Sequence, residues 1–521
     1  MSLPGTSREP LGNSAETLDN APVTAFHRRM VAVAMGGPFC DGYLLGIMGV
    51  ALSLITPALD LDTLWTGLVA ASVLIGVFLG GAVFGPITDR VGRHLMYVLN
   101  LVAFVIGSAL QFFVTEAWQL VVLRLFIGVA IGADYPIASA LTTELVPRRM
   151  RGPALSGLVL AWWVGYGVSY WAGWLLLGTG DDSWRWMLAS GAVPAVLFLL
   201  LRAGVPESPR WLASRGRVDE ARQVVRRHLG QEVSAEELLA EVRQDRRGGS
   251  GLGNLAEMFR RGYGMPALFC SLFWICQVAP AFAVRSFQPQ MLESFGVTGT
   301  FGASALITTI AVAGTGLGLA VVNRIGRRPL LIGGFLCVNV SLIALTVLPL
   351  HYAALVVGLF AAFQFFEAAG SGLQFVYPSE LFPTDLRATG VGVATAMSRV
   401  GSASSTFLLP MATADLGVRG TLAIGVVITL IGLVVSVLLA PRPRTSAWPK
   451  PAAAAPDTPD PPSQCFTAPP PERTRPCASW SPSTATAPSS TSTPVPPPMR
   501  SSRTGSPRSA WTPIGSTTTR M

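Results

Sequence analysis

Charge is scarce in these 521 residues: Asp, Glu, Lys and Arg make up 13%, against about 25% in an ordinary water-soluble domain. Cysteine is equally uninformative. Six are spread along the chain with no CxxC pair and no Cys/His ligand spacing, which excludes a disulfide framework and a zinc site. There are four histidines, none in the middle of an apolar stretch, and no nucleophile–base or metal-ligand set within those stretches, which argues against a membrane enzyme. A secretory signal is also missing, because the first 29 residues are polar and end in His27, Arg28 and Arg29 rather than in a small-residue cleavage site. The net charge is +9, yet the arginines sit between apolar runs rather than on one solvated face. That arrangement excludes a nucleic-acid partner.

What the chain has in abundance is apolar length. Half of its residues are hydrophobic and the mean hydropathy is +0.49. A helix needs about 20 mainly apolar residues to cross a bilayer core of ~30 Å. Twelve stretches qualify: 30–57, 66–88, 94–114, 118–143, 153–178, 185–203, 264–289, 300–322, 329–349, 352–378, 389–412 and 419–440. The expected fold is therefore an all-α membrane protein with 12 transmembrane helices. Arg90, Arg93, Arg148, Arg149, Arg151, Arg324, Arg327, Arg328 and Arg387 fall in alternate loops. The other loops carry Asp60, Asp62, Glu116, Asp181, Asp182, Glu293 and Asp415. By the positive-inside rule the arginine loops and both termini are cytosolic, and the protein is a multi-pass protein of the plasma membrane, a cell inner membrane.

Five segments follow: an N-terminal cytosolic piece (1–29), six spans (30–203), a charged cytosolic loop (204–263), six more spans (264–440) and a tail (441–521). Within the loop, Val218–Arg247 spaces its charges as amphipathic helices do. The tail holds 20 of the 40 prolines and supplies +6 of the net charge. Such a composition buries too little surface to fold, so the tail is expected to be disordered, with out-of-frame translation as the alternative origin. The two sets of spans repeat one pattern. Asp89-Arg90-Val91-Gly92-Arg93 recurs 234 residues later as Asn323-Arg324-Ile325-Gly326-Arg327. Glu144-Leu-Val-Pro147 with Arg151 recurs 236 residues later as Glu380-Leu-Phe-Pro383 with Arg387. One six-helix unit is used twice, as in many secondary transporters, with the site at the repeat interface.

Four segments carry a family resemblance: Gly85-Pro-Ile-Thr-Asp89-Arg90-Val-Gly92-Arg93, Arg124-Leu-Phe-Ile-Gly128, Pro206-Glu207-Ser208-Pro209-Arg210-Trp211-Leu212 and Tyr377-Pro378-Ser379-Glu380-Leu-Phe-Pro383 with Arg387. In this order they resemble the major facilitator superfamily, in its sugar-porter and metabolite:proton-symporter branches, over about 25–440. The resemblance implies two six-helix bundles that alternate between inward-open and outward-open states. It also implies a cytosolic gate made of Gly85, Asp89, Arg90, Gly92, Arg93, Glu144, Arg151, Glu207, Arg210, Asn323, Arg324, Arg327, Glu380 and Arg387. In that reading Glu144 pairs with Arg151 and Glu380 with Arg387. Carboxylates at such loops can also meet helix N-termini, and plain topogenesis is the simpler account of the arginines.

Ionisable residues inside spans are costly and therefore functional candidates. Asp41, Asp134, Glu367 and Arg399 all lie about two-fifths of the way up from the cytosolic end of their spans, reckoned from helix rise. In the family fold those spans face the central cavity. Burial and mutual repulsion favour a bound proton on at least one of the three acids. Phe39-Cys40-Asp41-Gly42-Tyr43 resembles the first-span signature of proton symporters, so Asp41 is the first candidate carrier, with Arg124 placed to favour its ionised form. Asp134 can carry the proton or bind substrate hydroxyls. Arg399 can receive a substrate carboxylate with its planar fork or pair with Glu367. Arg285, near the outer end of its span, is expected to snorkel to the headgroups. Gln364 and Trp162 join Asp134, Glu367 and Arg399 as candidate substrate contacts. The break Gly370-Ser371-Gly372 permits bending, and Cys276-Gln277-Val278-Ala279-Pro280 stands where typical sugar porters carry a glutamine-rich signature.

These readings converge on a secondary active transporter, with no cofactor beyond the proton gradient. It moves a small polar metabolite, a sugar or polyol or else an organic or aromatic acid, by proton symport as a functional monomer. A facilitative uniporter and a non-translocating receptor are the alternatives.

Overall fold

The computed structural model describes residues 23–202, 205–229, 235, 251–349, 352–383 and 386–440. The expected tail (441–521) lies outside them, as does most of the loop's middle. Among the described residues every regular element is helical. Spans one to five are Ala25–Ala58, Thr63–Val91, Arg93–Leu110, Ala117–Leu145 and Arg148–Leu176. Span six is in two pieces, Ser183–Ala189 and Ala192–Leu201. Span seven is Gly264–Ser286, followed by the short helix Gln288–Ser294. Spans eight and nine are Thr300–Ile325 and Arg327–Val347. Span ten breaks between Ala353–Gly370 and Leu373–Leu381, at the Ser371-Gly372 step the sequence singles out. Spans eleven and twelve run together as Arg387–Leu439, interrupted only at Gly417 (φ 69°). The twelve expected spans are all present as two six-helix bundles. The fifth is the most polar and falls below the hydropathy that marks the others as membrane-crossing.

The repeat is visible in the turns and in the packing. Gly92 (φ 114°) and Gly326 (φ 92°) occupy matching hinges between spans two and three and between spans eight and nine, a backbone region in which only glycine is unstrained. Spans two and four cross at Gly76 and Gly80 against Gly128 and Gly132. A Cβ at Gly128 would lie 2.9 Å from the Gly76 Cα. Both helices carry small residues four apart, the pattern that lets backbones touch in lipid, where no hydrophobic effect drives association. Span eight repeats it, with Gly314 and Gly318 packed on the Phe365 and Ala369 carbonyls of span ten.

The loop after span six folds as Pro209–Ser214 and Val218–Val224 around Leu212, Ala213, Ala221 and Val225. A third helix, Gly251–Arg260, leads into span seven and buries Met258. The bundles meet in the half of the molecule away from the arginine-rich loops. Trp171 Nε1 donates to Thr309 Oγ1 at 2.9 Å, Gly67 packs on the Phe407 carbonyl, and Gly49 packs on the Arg285 carbonyl.

Candidate transport site

Asp41 and Asp134 face each other between spans one and four, both fully buried. Sequence dictates this approach through Gly37: a Cβ there would collide with Asp134 Oδ2. Pro38 cannot donate a backbone hydrogen bond and weakens the first helix at the same level. Tyr97 repairs the break. Its hydroxyl accepts from the Gly37 N–H at 2.8 Å, donates to the Val33 carbonyl at 2.9 Å, and lies 3.4 Å from the Ala34 carbonyl that Pro38 leaves without its i→i−4 donor. The Asn100 side chain lies beside Asp134 and acts on it, while the two carboxylate oxygens of Asp41 have no hydrogen-bond partner among the described residues.

Two arginines act on these acids. Arg399, on span eleven, is the cation within electrostatic reach of Asp41. Arg202, at the end of span six and 2% exposed, acts on Asp134 from above the Tyr97 ring. Sequence reading missed Arg202 because it abuts the polar loop and looks like a span boundary. Arg124 is 1% exposed and donates Nη1 to the Leu44 carbonyl at 3.1 Å. It touches span one a turn beyond Asp41 and makes no hydrogen bond with that carboxylate.

Glu367 belongs to a second cluster. Arg285 Nη1 donates to its Oε2 at 2.6 Å, with the two side chains 2% and 3% exposed. The expectation that Arg285 snorkels is therefore overturned, because a buried carboxylate and three rings compensate its charge in place. The Arg285 guanidinium lies 4.9 Å from the Trp163 ring and 4.8 Å from the Phe282 ring, the geometry of a cation–π contact. The alternative of an Arg399–Glu367 pair is likewise overturned, since Arg285 occupies that carboxylate. Tyr170 donates to the Arg285 carbonyl at 2.7 Å, tying span five to span seven.

Amides surround this pair. Gln277 Nε2 donates to the Glu367 carbonyl at 3.2 Å, and Gln374 Nε2 donates to Gln277 Oε1 at 3.2 Å. Gln364 donates to Gln288, which donates to the Ser304 carbonyl. Gln277 and Gln288 were not among the expected contacts; they lie on successive helices, span seven and the short helix after it, and only the packing of span ten brings them to Glu367 and Gln364. Trp162 stacks on Tyr166 at 5.3 Å and 24°, and Phe282 lies edge-on to it at 6.2 Å.

At the arginine-rich face, Glu207 accepts from the His94 N–H at 3.0 Å, at the start of span three. A carboxylate there satisfies helix donors and meets the positive end of the dipole. Its Oε2 also crowds Gly92, so the Pro206–Leu212 motif closes on the first repeat's hinge. Arg151 Nε donates to the Val146 carbonyl at 3.0 Å. In the second copy Glu380 pairs with Arg327 at 2.9 Å rather than with Arg387. Arg327 follows the Gly326 hinge directly beside the end of span ten, whereas the Arg387 side chain is exposed. Asn323 and Arg324 are also exposed, Gly85 lies within span two, and Arg93 stands one residue beyond the Gly92 hinge. The side chains of Asp89, Arg90, Glu144 and Arg210 lie outside the described ones.

The chain matches the sugar (and other) transporter family over residues 30–443. It is 38% identical over 435 residues to the putative metabolite transport protein YaaU of Escherichia coli, covering 82% of this chain and 95% of that one. The arabinose-proton symporter of Bacillus subtilis is 26% identical over 454 residues, 82% of this chain and 96% of that one. The inward-open structure of the xylose transporter XylE of E. coli superposes with a TM-score of 0.68 at 23% identity, over 81% of this chain and 98% of that one. Twelve apolar helices in a repeated six-helix unit, buried charges at their shared interface and this match together show that the chain is a multi-pass membrane transporter of the major facilitator superfamily, belonging to its sugar (and other) transporter family, and not an enzyme.

Proposed function

We propose that the protein is a proton-coupled symporter of a small polar metabolite, working by alternating access as a monomer. One observation supports the reading: two buried carboxylates, Asp41 and Asp134, lie close enough to act on each other. Two like charges in an apolar body cannot both ionise cheaply, so a proton on one of them is the natural way to neutralise the site. Arg399 and Arg202 approach the two acids from different helices, and their movement relative to spans one and four would change which acid holds the proton. The similarity to an arabinose-proton symporter supports the same reading. We take the arginine-rich face as cytosolic, with residues 30–203 and 264–440 as the two moving units and 204–263 as the loop that joins them. The bundles touch in the half away from that face, so we take this conformation as open toward the cytosol.

The experiment is uptake into proteoliposomes with an imposed inside-alkaline pH gradient. The probes are radiolabelled D-xylose, myo-inositol and benzoate. The expected result is gradient-driven accumulation of one probe that Asp41→Asn abolishes while leaving exchange at equal pH intact. Accumulation indifferent to the gradient would overturn proton coupling.

A further inference from the structure

One indole joins the two bundles beside the Arg285–Glu367 pair. Trp163, on span five of the amino-terminal bundle, is 3% exposed. Its Nε1–H donates to Ser371 Oγ at 3.3 Å, and Ser371 is buried at the break in span ten, in the other bundle. The Arg285 guanidinium lies 4.9 Å from the centre of the same ring system, and Arg285 is bonded to Glu367, four residues before Ser371 on span ten. Residues four apart share a helix face, so one side chain meets both the break in span ten and the cation bonded to the turn before it. An N–H buried this deeply needs an acceptor. The acceptor it has lies across the bundle interface rather than on its own helix.

Ser371 stands where span ten loses its regular ladder. Its hydroxyl donates to the Ala368 carbonyl at 2.7 Å, which leaves a lone pair to accept from the indole. Thr315 of span eight reaches the same carbonyl at 3.4 Å. Beyond the break the Gln374 N–H turns back to the Ser371 carbonyl at 3.2 Å and the Phe375 N–H to the Gly372 carbonyl at 3.3 Å. These are the i→i−3 bonds of a tight turn rather than the i→i−4 rungs of a straight helix. The surroundings leave little slack, since a Cβ on Gly370 would lie 2.8 Å from Gln277 Nε2 and one on Gly372 3.0 Å from Leu319. The segment leaving the break, Leu373–Leu381, carries Glu380, which meets Arg327 at the arginine-rich face. A change of angle at Ser371 therefore moves Glu380 at the end of a lever of about 13 Å.

We propose that Trp163 is a positioning residue of the transport cycle: by bonding Ser371 while its face rests on Arg285, it holds span ten bent in this conformation and thereby places Glu380 against Arg327. Releasing the indole frees Leu373–Leu381 to swing, while the Arg285–Glu367 pair keeps the segment before the break in place. The proposal rests on the alternating-access reading above and is independent of which substrate or ion is carried.

The test is hydrogen exchange of the full-length protein in nanodiscs, read at residues 373–377, with residues 364–368 and span two as internal references. Trp163→Phe keeps a ring over Arg285 and removes only the N–H. It is expected to speed exchange at 373–377 by about fivefold, the effect of one net hydrogen bond, and to leave both references unchanged. Ser371→Ala is expected to do the same, the double variant to exceed neither single, and Ser371→Thr, which keeps the hydroxyl, to exchange like the unsubstituted protein. Trp163→Leu also removes the ring face and is expected to speed residues 364–368 in addition. Spin labels at Gly152→Cys and Ser379→Cys, across the arginine-rich face, are expected to show a second distance population in Trp163→Phe. Unchanged exchange and unchanged distances in Trp163→Phe overturn the proposal. So do additive effects in the double variant, and a rise spread evenly over all spans, which would mean general loosening. Uptake that ignores a pH gradient removes proton coupling and leaves this proposal standing, whereas unchanged exchange in Trp163→Phe does the reverse.

Discussion

Arg285 is the second-to-last residue of its helix, a position from which a long cation ordinarily reaches water. Here it turns inward to Glu367 and three rings. Removing either partner leaves a buried charge alone, which costs about 3–5 kcal/mol, whereas replacing both with apolar residues is far cheaper. Glu367→Gln and Arg285→Met should each lower the melting temperature in nanodiscs strongly, and the double variant Arg285→Met/Glu367→Leu should recover most of the loss. If the double variant melts as low as the sum of the singles, the ion pair is not the unit of stability here. Sequence marked Asp41, Asp134, Glu367 and Arg399 as important because a charge in an apolar run needs no fold to stand out. It could not say who partners whom. Pairing depends on side-chain reach across helices 82 residues apart, as between Arg285 and Glu367.

Glycine and glutamate punctuate the helices. The hinges at Gly92 and Gly326 were legible because each closes a short Arg-Val-Gly-Arg or Arg-Ile-Gly-Arg loop in one of two repeated segments. That Glu207, 115 residues beyond Gly92, would cap the helix after that hinge was not legible, since nothing local records it. Glu207→Gln keeps the shape but loses the charge that meets the helix dipole, worth about 0.3–2 kcal/mol. Hydrogen exchange at residues 93–96 should speed up in that variant with little change in span seven. The loop helix Gly251–Arg260 offers a pH test. Glu257 accepts from Arg260 and Arg261, and these hydrogen bonds hold its carboxyl down at about 2, below the ordinary 4.5. A folded value depressed in this way adds stability that is present above the unfolded value and is lost as pH falls through the folded one. A nitroxide label on Ala256→Cys should therefore gain mobility as the pH falls from about 4.5 toward about 2, and in Glu257→Gln it should not respond to pH over that range.

At the scale of the whole molecule, the two bundles are joined by contacts gathered in one half: Tyr170 to the Arg285 carbonyl, Trp171 to Thr309, and Gly67 against Phe407. On the alternating-access reading proposed above, these contacts close one of two states, so weakening them should shift a population rather than unfold the protein. Tyr170→Phe deletes a hydrogen bond worth about 1 kcal/mol, an approximately fivefold change in the ratio of states. Spin labels at Gly178→Cys and Thr300→Cys, near the ends of spans five and eight, should show a larger long-distance population in that variant. An unchanged distance distribution would mean that this bond does not hold the bundles together.

The sequence by itself determined the span count, the six-and-six repeat, the hinges and the presence of charges within the apolar spans. Each of these follows from local apolar length, glycine conformation or helix rise. Only the tertiary structure decided which charge answers which: Arg285 with Glu367, Arg399 toward Asp41, Arg202 toward Asp134, Glu380 with Arg327. The scarcity of charge thus proved to be an almost balanced set of buried pairs. These pairings are invisible in composition, because electrostatic compensation in an apolar body depends on distances of a few ångströms that no linear spacing encodes.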